Sequence, residues 1–122
     1  MSKMNNNIKP FNKCNYDLYL SYHSSEKRKV QKIFNFFKNS NLNVWFGNEN
    51  DNFDENLHAL QFSLVFIYFP CKEYQKCIKN RIEYSIANEQ GIKIINLSNN
   101  YLLEIEENNE LLRNIVKNIK IK

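Results

Sequence analysis

One carboxylate stands inside a run that has the spacing of a helix packed on a sheet. Glu83 lies in the run Arg-Ile-Glu-Tyr-Ser-Ile-Ala, and isoleucines recur every four residues around it, at Ile78, Ile82 and Ile86. This spacing predicts an apolar helical stripe centred on Ile82. Since successive residues turn by about 100° around a helix, we expect Glu83 at the edge of that stripe, near the sheet rim. It is a candidate for acid–base chemistry, and the alternative is a surface ion pair with a neighbouring lysine or arginine.

A second group of polar side chains follows the first apolar run of the chain. Tyr22, His23 and Ser24 come where residues 16–22 give way to a polar turn. In open α/β sheets, ligands bind at the carboxyl ends of the strands, so these residues are candidates for binding. His23 is alternatively an ordinary polar loop residue, and the second histidine, His58, is a weaker candidate.

Several other chemistries are excluded by what the sequence lacks. Two glycines are too few for a P-loop or a dinucleotide-binding fingerprint, and no Ser/His/Asp triad can be recognised. The three cysteines, Cys14, Cys71 and Cys77, have neither paired spacing nor accompanying histidines. They therefore predict free thiols in a reducing compartment, and no metal site.

Strand and helix patterns alternate along the chain, and the predicted strands and helices must position Glu83 and the polar residues 22–24. The predicted strands are residues 16–22, 42–46, 63–69 and 92–97, with 99–105 as a further candidate edge strand. The predicted helices are a segment capped by Ser24 or Ser25 and ending near residue 39, then residues 55–61, 74–89 and 110–121, with Gly91 ending the third. This alternation predicts an α/β domain with a parallel sheet and helices on both faces.

Length and charge bound the organisation and the partners. The chain has 122 residues, enough for one domain, and we expect residues 1–14 to form a disordered polar tail before a domain over 15–122. The formal net charge of +4 is spread along the chain, which favours a solvated surface over nucleic-acid binding. No apolar run is long enough to span a membrane, so we expect no membrane partner and a cytoplasmic location.

The order and spacing of several motifs resemble the TIR (Toll/interleukin-1 receptor) domain family across nearly all of residues 15–122. Residues 16–22 resemble its first box, residues 23–27 its following polar loop, and residues 44–46, Val-Trp-Phe, its second-strand signature. Residues 64–69 resemble its central strand. Its Glu-aliphatic-x-x-Ala helix and Gly-x-x-Ile-Ile strand resemble residues 83–87 and 91–95, with matching Glu-to-Ala and Glu-to-Gly spacings.

The resemblance implies a fold, a reaction and a set of site residues. The fold is a flavodoxin-like three-layer sandwich with a five-stranded or four-stranded parallel sheet. In enzymatic TIR domains, the glutamate at the position of Glu83 cleaves NAD⁺, which would be a substrate rather than a cofactor. A carboxylate stabilises the oxocarbenium character that develops when the nicotinamide–ribose bond breaks. The implied substrate-binding residues are Tyr22, His23, Ser24 and Trp45, although Trp45 is alternatively a core aromatic.

The function that follows is a TIR-domain signalling protein with NAD⁺ nucleosidase activity at Glu83, activated by self-association or by other TIR domains. The chain departs from the family pattern after Phe46, where the loop before the central strand is short and Gly47 replaces the usual acid. These departures favour an alternative, a catalytically inactive adaptor or decoy that acts through TIR–TIR contacts. A third possibility is a doubly wound domain that binds another nucleotide or a sugar.

Overall fold

The computed structural model describes residues 15–47, 52–98 and 110–121 of the chain. Its strands are β1 (Tyr16–Ser21), β2 (Val44–Phe46), β3 (Ser63–Tyr68) and β4 (Lys93–Asn96). Its helices are α1 (Lys27–Asn39), α2 (Phe53–Gln61), α3 (Lys72–Lys76), α4 (Ile78–Glu89) and α5 (Glu110–Ile121), and a short 3-10 turn, Ser24–Glu26, precedes α1. The predicted tail at 1–14 and the candidate strand at 99–105 lie outside the described residues.

The four strands form one parallel sheet in the order β2-β1-β3-β4. Leu20 of β1 pairs with Phe46 on one side and with Ile67 on the other, and Tyr68 of β3 pairs with Asn96. β1 and β3 are therefore the central strands, as expected for the most apolar runs. The predicted parallel sheet is confirmed, in its four-stranded form among the described residues.

Alternate residues of the strands enter two separate cores, one on each face of the sheet. Leu18 and Leu20 of β1 pack with α1 and α5, where the buried residues are Val30, Ile33, Phe37, Leu112 and Ile115. Tyr19 of β1 and Phe66 of β3 pack with Ala59 and Leu60 of α2 and Ala87 of α4. Helices thus cover both faces, which confirms the predicted three-layer arrangement.

Neither Ser24 nor Ser25 caps α1 as predicted: Glu26 is its N-cap residue, without a side-chain cap, and His23 caps the 3-10 turn that precedes it. The His23 ring Nδ1 accepts a hydrogen bond from the Ser25 backbone N–H at 3.1 Å and thereby satisfies an unpaired donor of the 3-10 turn. The pattern was ambiguous because serine is the commoner capping residue. Helix α2 also begins two residues before the predicted position, because the Asn52 side chain accepts from the Glu55 N–H at 3.0 Å and caps it.

The helix predicted over residues 74–89 is wrong in one respect, since the chain forms two helices there. Cys77 lies between them in an extended conformation, with φ −84° and ψ 120°. In one continuous helix, Tyr74 and Glu83 would project about 180° apart because nine residues turn the helix by two and a half turns. The break lets both side chains reach Ser21 of β1.

The end of α4 follows the prediction. Gly91 has φ +70°, the left-handed conformation that glycine adopts at the C′ position of a helix. Cys71 and Cys77, which flank α3, are free thiols. In the part of the chain that the structure describes, no helix is both long enough and apolar enough to cross a bilayer.

Candidate functional site

The Glu83 carboxylate lies in the interior, at the carboxyl end of β1. The residue is 1% exposed. Its Oε2 accepts from the Tyr19 hydroxyl at 2.9 Å, and its Oε1 accepts from the Ser21 hydroxyl at 2.6 Å. Asn80, one helical turn earlier, donates from Nδ2 to Oε1 at 3.3 Å. Three donors from β1 and α4 therefore enclose the carboxylate and satisfy it without solvent.

This arrangement corrects the predicted orientation of α4. The buried residues of the helix are Asn80, Glu83 and Ala87. Ile78 is 68% exposed and Ile82 37% exposed, so these two isoleucines of the stripe turn to solvent, whereas Ile86 is partly buried against the core around Tyr19 and Phe66. The helix presents Asn80 and Glu83 to the sheet because the hydroxyl groups of Tyr19 and Ser21 lie there and donate to Glu83. An isoleucine in place of Glu83 would leave these buried hydroxyls unpaired.

The alternation of β1 explains why those hydroxyls face α4. Successive side chains of a strand point to opposite faces, so Tyr19 and Ser21 lie on one side and Leu18 and Leu20 on the other. The leucines enter the core with α1. Tyr19 and Ser21 enter the side that α2 and α4 cover, where Tyr19 also stacks on Phe66 with ring centroids 5.7 Å apart.

Burial dominates the electrostatics of the cluster. It raises the pKa of Glu83 above its ordinary value of 4.5, although hydrogen bonds from Ser21, Tyr19 and Asn80 and the charge of Lys79 act in the opposite direction. Burial, followed by the charge of Glu83, also raises the pKa of the Tyr19 phenol. The tyrosine therefore stays protonated and acts as a hydrogen-bond donor to the carboxylate.

Tyr74 extends the cluster towards the surface. Its hydroxyl lies 2.7 Å from Ser21 Oγ. Since the single proton of Ser21 is donated to Glu83, the Tyr74 hydroxyl is the donor to Ser21. The result is a directed chain of hydrogen bonds from Tyr74 through Ser21 to Glu83, with burial raising the pKa of Tyr74 as well.

Gly47, directly after β2, lies against β1 beside Tyr19 of the cluster. Its N–H donates to the Leu20 carbonyl at 3.1 Å. A Cβ at this position would lie 2.6 Å from that carbonyl oxygen and 3.2 Å from the Tyr19 hydroxyl. The chain after Phe46 therefore passes so close to β1 that only glycine fits without a backbone shift.

The residues predicted to bind substrate are placed in three different environments. Tyr22 is fully buried and its ring packs on Phe46, in the core on the α1 side, so only its backbone carbonyl reaches Asn80, at 3.2 Å. His23 is partly exposed and holds the turn before α1, with Nδ1 2.9 Å from Ser25 Oγ. Ser24 is exposed at the start of that turn.

The Trp45 side chain makes its hydrogen bond and its ring contact away from the Glu83 carboxylate. Its indole N–H donates to Asn56 Oδ1 at 2.9 Å, and its ring meets Tyr16 edge-on with centroids 5.3 Å apart. Together with α2 these two rings line a cleft of about 300 Å³. Trp45 pairs with Tyr19 across the sheet, and Tyr19 in turn donates to Glu83, but the Trp45 side chain bonds to Asn56 and not to the carboxylate. Among the described residues, the structure therefore links Trp45 to Glu83 only through Tyr19.

The sequence did not predict the groups of this cluster, which are Tyr19, Ser21 and Asn80, the donors to Glu83, and Tyr74, which is bonded to Ser21. One signal was present for two of them, because Tyr19 and Ser21 carry hydroxyls at alternate positions of an otherwise apolar strand. Asn80, one turn before Glu83 on the same helix, was a second. Neither signal identifies its partner, since that depends on how α4 crosses β1.

The TIR domain of the Toll-related receptor TRR-2 from the lower metazoan Hydra magnipapillata is structurally similar to this chain. The superposition covers 83% of this chain and 98% of that chain, with a TM-score of 0.63 and 16% sequence identity. No protein-family model and no curated protein sequence matches. The chain therefore has a TIR-like, flavodoxin-like fold, which confirms the resemblance at the level of the fold.

Proposed function

We propose that this chain is a TIR-type signalling module that binds other TIR domains, a second copy of itself among them, through the outer face of α4. The outer face of α4 is defined here by Ile78, Arg81, Ile82 and Ser85, which line a shallow groove of about 340 Å³. In this proposal, Glu83 is a structural carboxylate that fixes α4 on the sheet.

The exposure of the isoleucines carries the proposal. Ile78 and Ile82 lie one turn apart on a helix whose buried residues are Asn80, Glu83 and Ala87. Single exposed apolar residues need no explanation, but adjacent ones on a regular helix favour a protein contact. Exposing them also has no evident structural benefit, since the sheet side of α4 is already filled by Asn80, Glu83 and Ala87.

Sedimentation velocity over a concentration series tests the proposal. The wild-type chain should sediment faster as its concentration rises, and the double variant Ile78→Ser/Ile82→Ser should remain monomeric. Glu89→Gln, an exposed change at the end of the same helix, is the matched control and should behave as the wild type. Self-association that is unchanged in the double variant contradicts the proposal. So does a chain that stays monomeric and binds no other TIR domain.

A second candidate function is NAD⁺ nucleosidase activity with Glu83 as the reacting carboxylate. A carboxylate with a raised pKa at the carboxyl end of a parallel strand is typical of functional sites in α/β folds. An ionised Glu83 could face the oxocarbenium charge of the breaking nicotinamide–ribose bond. The enclosure of Glu83 by Tyr19, Ser21 and Asn80 requires the surrounding chain to move before NAD⁺ reaches it.

Release of nicotinamide from NAD⁺ tests this second candidate. Concentrated protein is incubated with NAD⁺ and a crowding agent, and Glu83→Gln is compared with the wild type because it preserves the size of the side chain. Activity that disappears in Glu83→Gln and persists in Glu89→Gln supports the nucleosidase. An assembled wild-type protein that releases no nicotinamide excludes it and leaves the interaction module.

A further inference from the structure

A second cleft lies beside the carboxyl ends of β3 and β4, against the outer side of α3 and the start of α4. It has a volume of about 490 Å³, within the usual range for small-molecule sites. Three tyrosines, one arginine and two carboxamides line it: Tyr68, Tyr74, Tyr84, Arg81, Gln75 and Asn96. Glu83 does not line this cleft.

Hydrogen bonds hold two of the three tyrosines of the cleft, and ring contacts join all three. The Tyr68 hydroxyl accepts from Asn96 Nδ2 at 3.0 Å, and the Tyr74 hydroxyl is bonded to the buried Ser21. The Tyr68 ring lies 5.7 Å from that of Tyr74 and meets the Tyr84 ring edge-on at 5.1 Å. Rings fixed in this way lose little freedom when a ligand binds, which favours binding.

Arg81 gives the cleft its charge. Among the described residues, Arg81 makes no ion pair, and no carboxylate lines the cleft. A guanidinium group binds carboxylate or phosphate through paired hydrogen bonds, and the carboxamides of Gln75 and Asn96 can add further polar contacts. Tyrosine rings provide stacking or edge contacts for a planar ring.

We propose that this cleft binds a small molecule consisting of a planar aromatic ring with an anionic group. The ring would lie among Tyr68, Tyr74 and Tyr84, and the anion would face Arg81. A carboxylate on an aromatic acid and the phosphate of a nucleotide offer the same chemistry here. The proposal requires neither NAD⁺ cleavage nor a contact at the isoleucines, because neither Glu83 nor the isoleucines line the cleft. Arg81 is the one residue that the cleft shares with the outer face of α4.

Amide NMR titration of the labelled chain tests the proposal with two probes, AMP and indole-3-acetate. Each has a matched partner that lacks the anion, adenosine and indole respectively, and ribose 5-phosphate supplies the anion without the ring. We expect saturable shifts at the cleft residues with at least one anionic probe, and weaker binding of its partner and of ribose 5-phosphate. The tighter of the two probes then identifies the nucleotide or the aromatic acid as the class of ligand.

Two variants show whether the cleft is responsible. Arg81→Gln should weaken binding of the anionic probe by about tenfold or more, because a charge-assisted contact is lost, and should leave binding of the neutral partner unchanged. Arg113→Gln, an exposed arginine of α5, is the matched control. Tyr84→Leu, at a residue 37% exposed, should weaken binding of the anionic probe and of its neutral partner alike. Shifts away from the cleft, no saturable shift with either probe, or equal binding by the two arginine variants overturns the proposal.

Discussion

At the scale of single residues, Glu83 makes the stability of the fold depend on pH. Burial raises its pKa in the folded chain above 4.5, so the folded state holds this proton more tightly than the unfolded chain does. The stabilisation from this proton is therefore complete below about pH 4.5 and is lost as the pH rises through the folded pKa. This direction is opposite to that of a carboxylate stabilised by a salt bridge.

The pH dependence is measured by urea unfolding of the wild type and of Glu83→Gln between pH 4 and pH 8. We expect the stability of Glu83→Gln relative to the wild type to increase with pH, because the neutral amide does not titrate. The two proteins share every other titratable group, which makes the difference specific to position 83. Parallel curves for the two proteins would show that the carboxylate does not carry the shifted pKa.

Glu83→Ala tests the hydrogen-bond cluster itself. The change removes the acceptor of the Tyr19 and Ser21 hydroxyls and leaves both polar groups buried beside a cavity. We expect the free energy of unfolding to fall by about 2–4 kcal/mol. Glu89→Ala, an exposed change on the same helix, should alter it by less than about 0.5 kcal/mol. Equal values for the two variants, measured by urea unfolding, would contradict a structural role for Glu83.

Gly47 and Gly91 should respond differently to alanine. A Cβ at Gly47 would overlap the Leu20 carbonyl, so Gly47→Ala should lower the free energy of unfolding by about 1–3 kcal/mol through a backbone shift. Gly91 has open space around it and only its positive φ to maintain, so Gly91→Ala should cost about 1 kcal/mol. Thermal unfolding of the two variants compares them, and a smaller loss at Gly47 would argue against the close approach.

At the scale of elements, α4 turns Ile78 and Ile82 outward and buries Asn80 and Glu83 together with Ala87. The double variant Ile78→Ser/Ile82→Ser should therefore keep the free energy of unfolding of the monomer within about 0.5 kcal/mol. Ala87→Leu should lower it by about 1–3 kcal/mol, because Ala87 is fully buried against the sheet. Urea unfolding at low protein concentration measures both. A larger loss in the double isoleucine variant than in Ala87→Leu would instead support the helix orientation that the isoleucine spacing predicts.

The same helix shows where prediction from sequence reached its limit. The four-residue spacing of Ile78, Ile82 and Ile86 correctly predicts a helix, but only Ile86 packs against the core, and the predicted buried face is wrong at Ile78 and Ile82. The face is selected by tertiary contacts, since the hydroxyls of Tyr19 and Ser21 can be satisfied only by a polar residue of the crossing helix. The break at Cys77 was equally hidden, because no proline or glycine marks it.

At the scale of the whole molecule, the fold itself could be predicted. Apolar runs at residues 16–22 and 63–69, separated by helical patterns, indicate central parallel strands, and these became β1 and β3. Handedness and layering then follow from general rules for parallel sheets. The candidate site was harder to predict. Glu83 was identified, but the side chains of Trp45 and Tyr22, which were grouped with it by resemblance, bond and pack away from its carboxylate.

An NMR dilution series of the labelled wild-type chain tests most directly whether the outer face of α4 is where these TIR-like domains meet. Spectra recorded from low to high protein concentration show which backbone amides change as the chains associate. We predict that the changes cluster at Ile78, Arg81, Ile82 and Ser85 and are absent in Ile78→Ser/Ile82→Ser. Changes centred on another surface, or an unchanged spectrum at every concentration together with no binding to another TIR domain, would contradict the account.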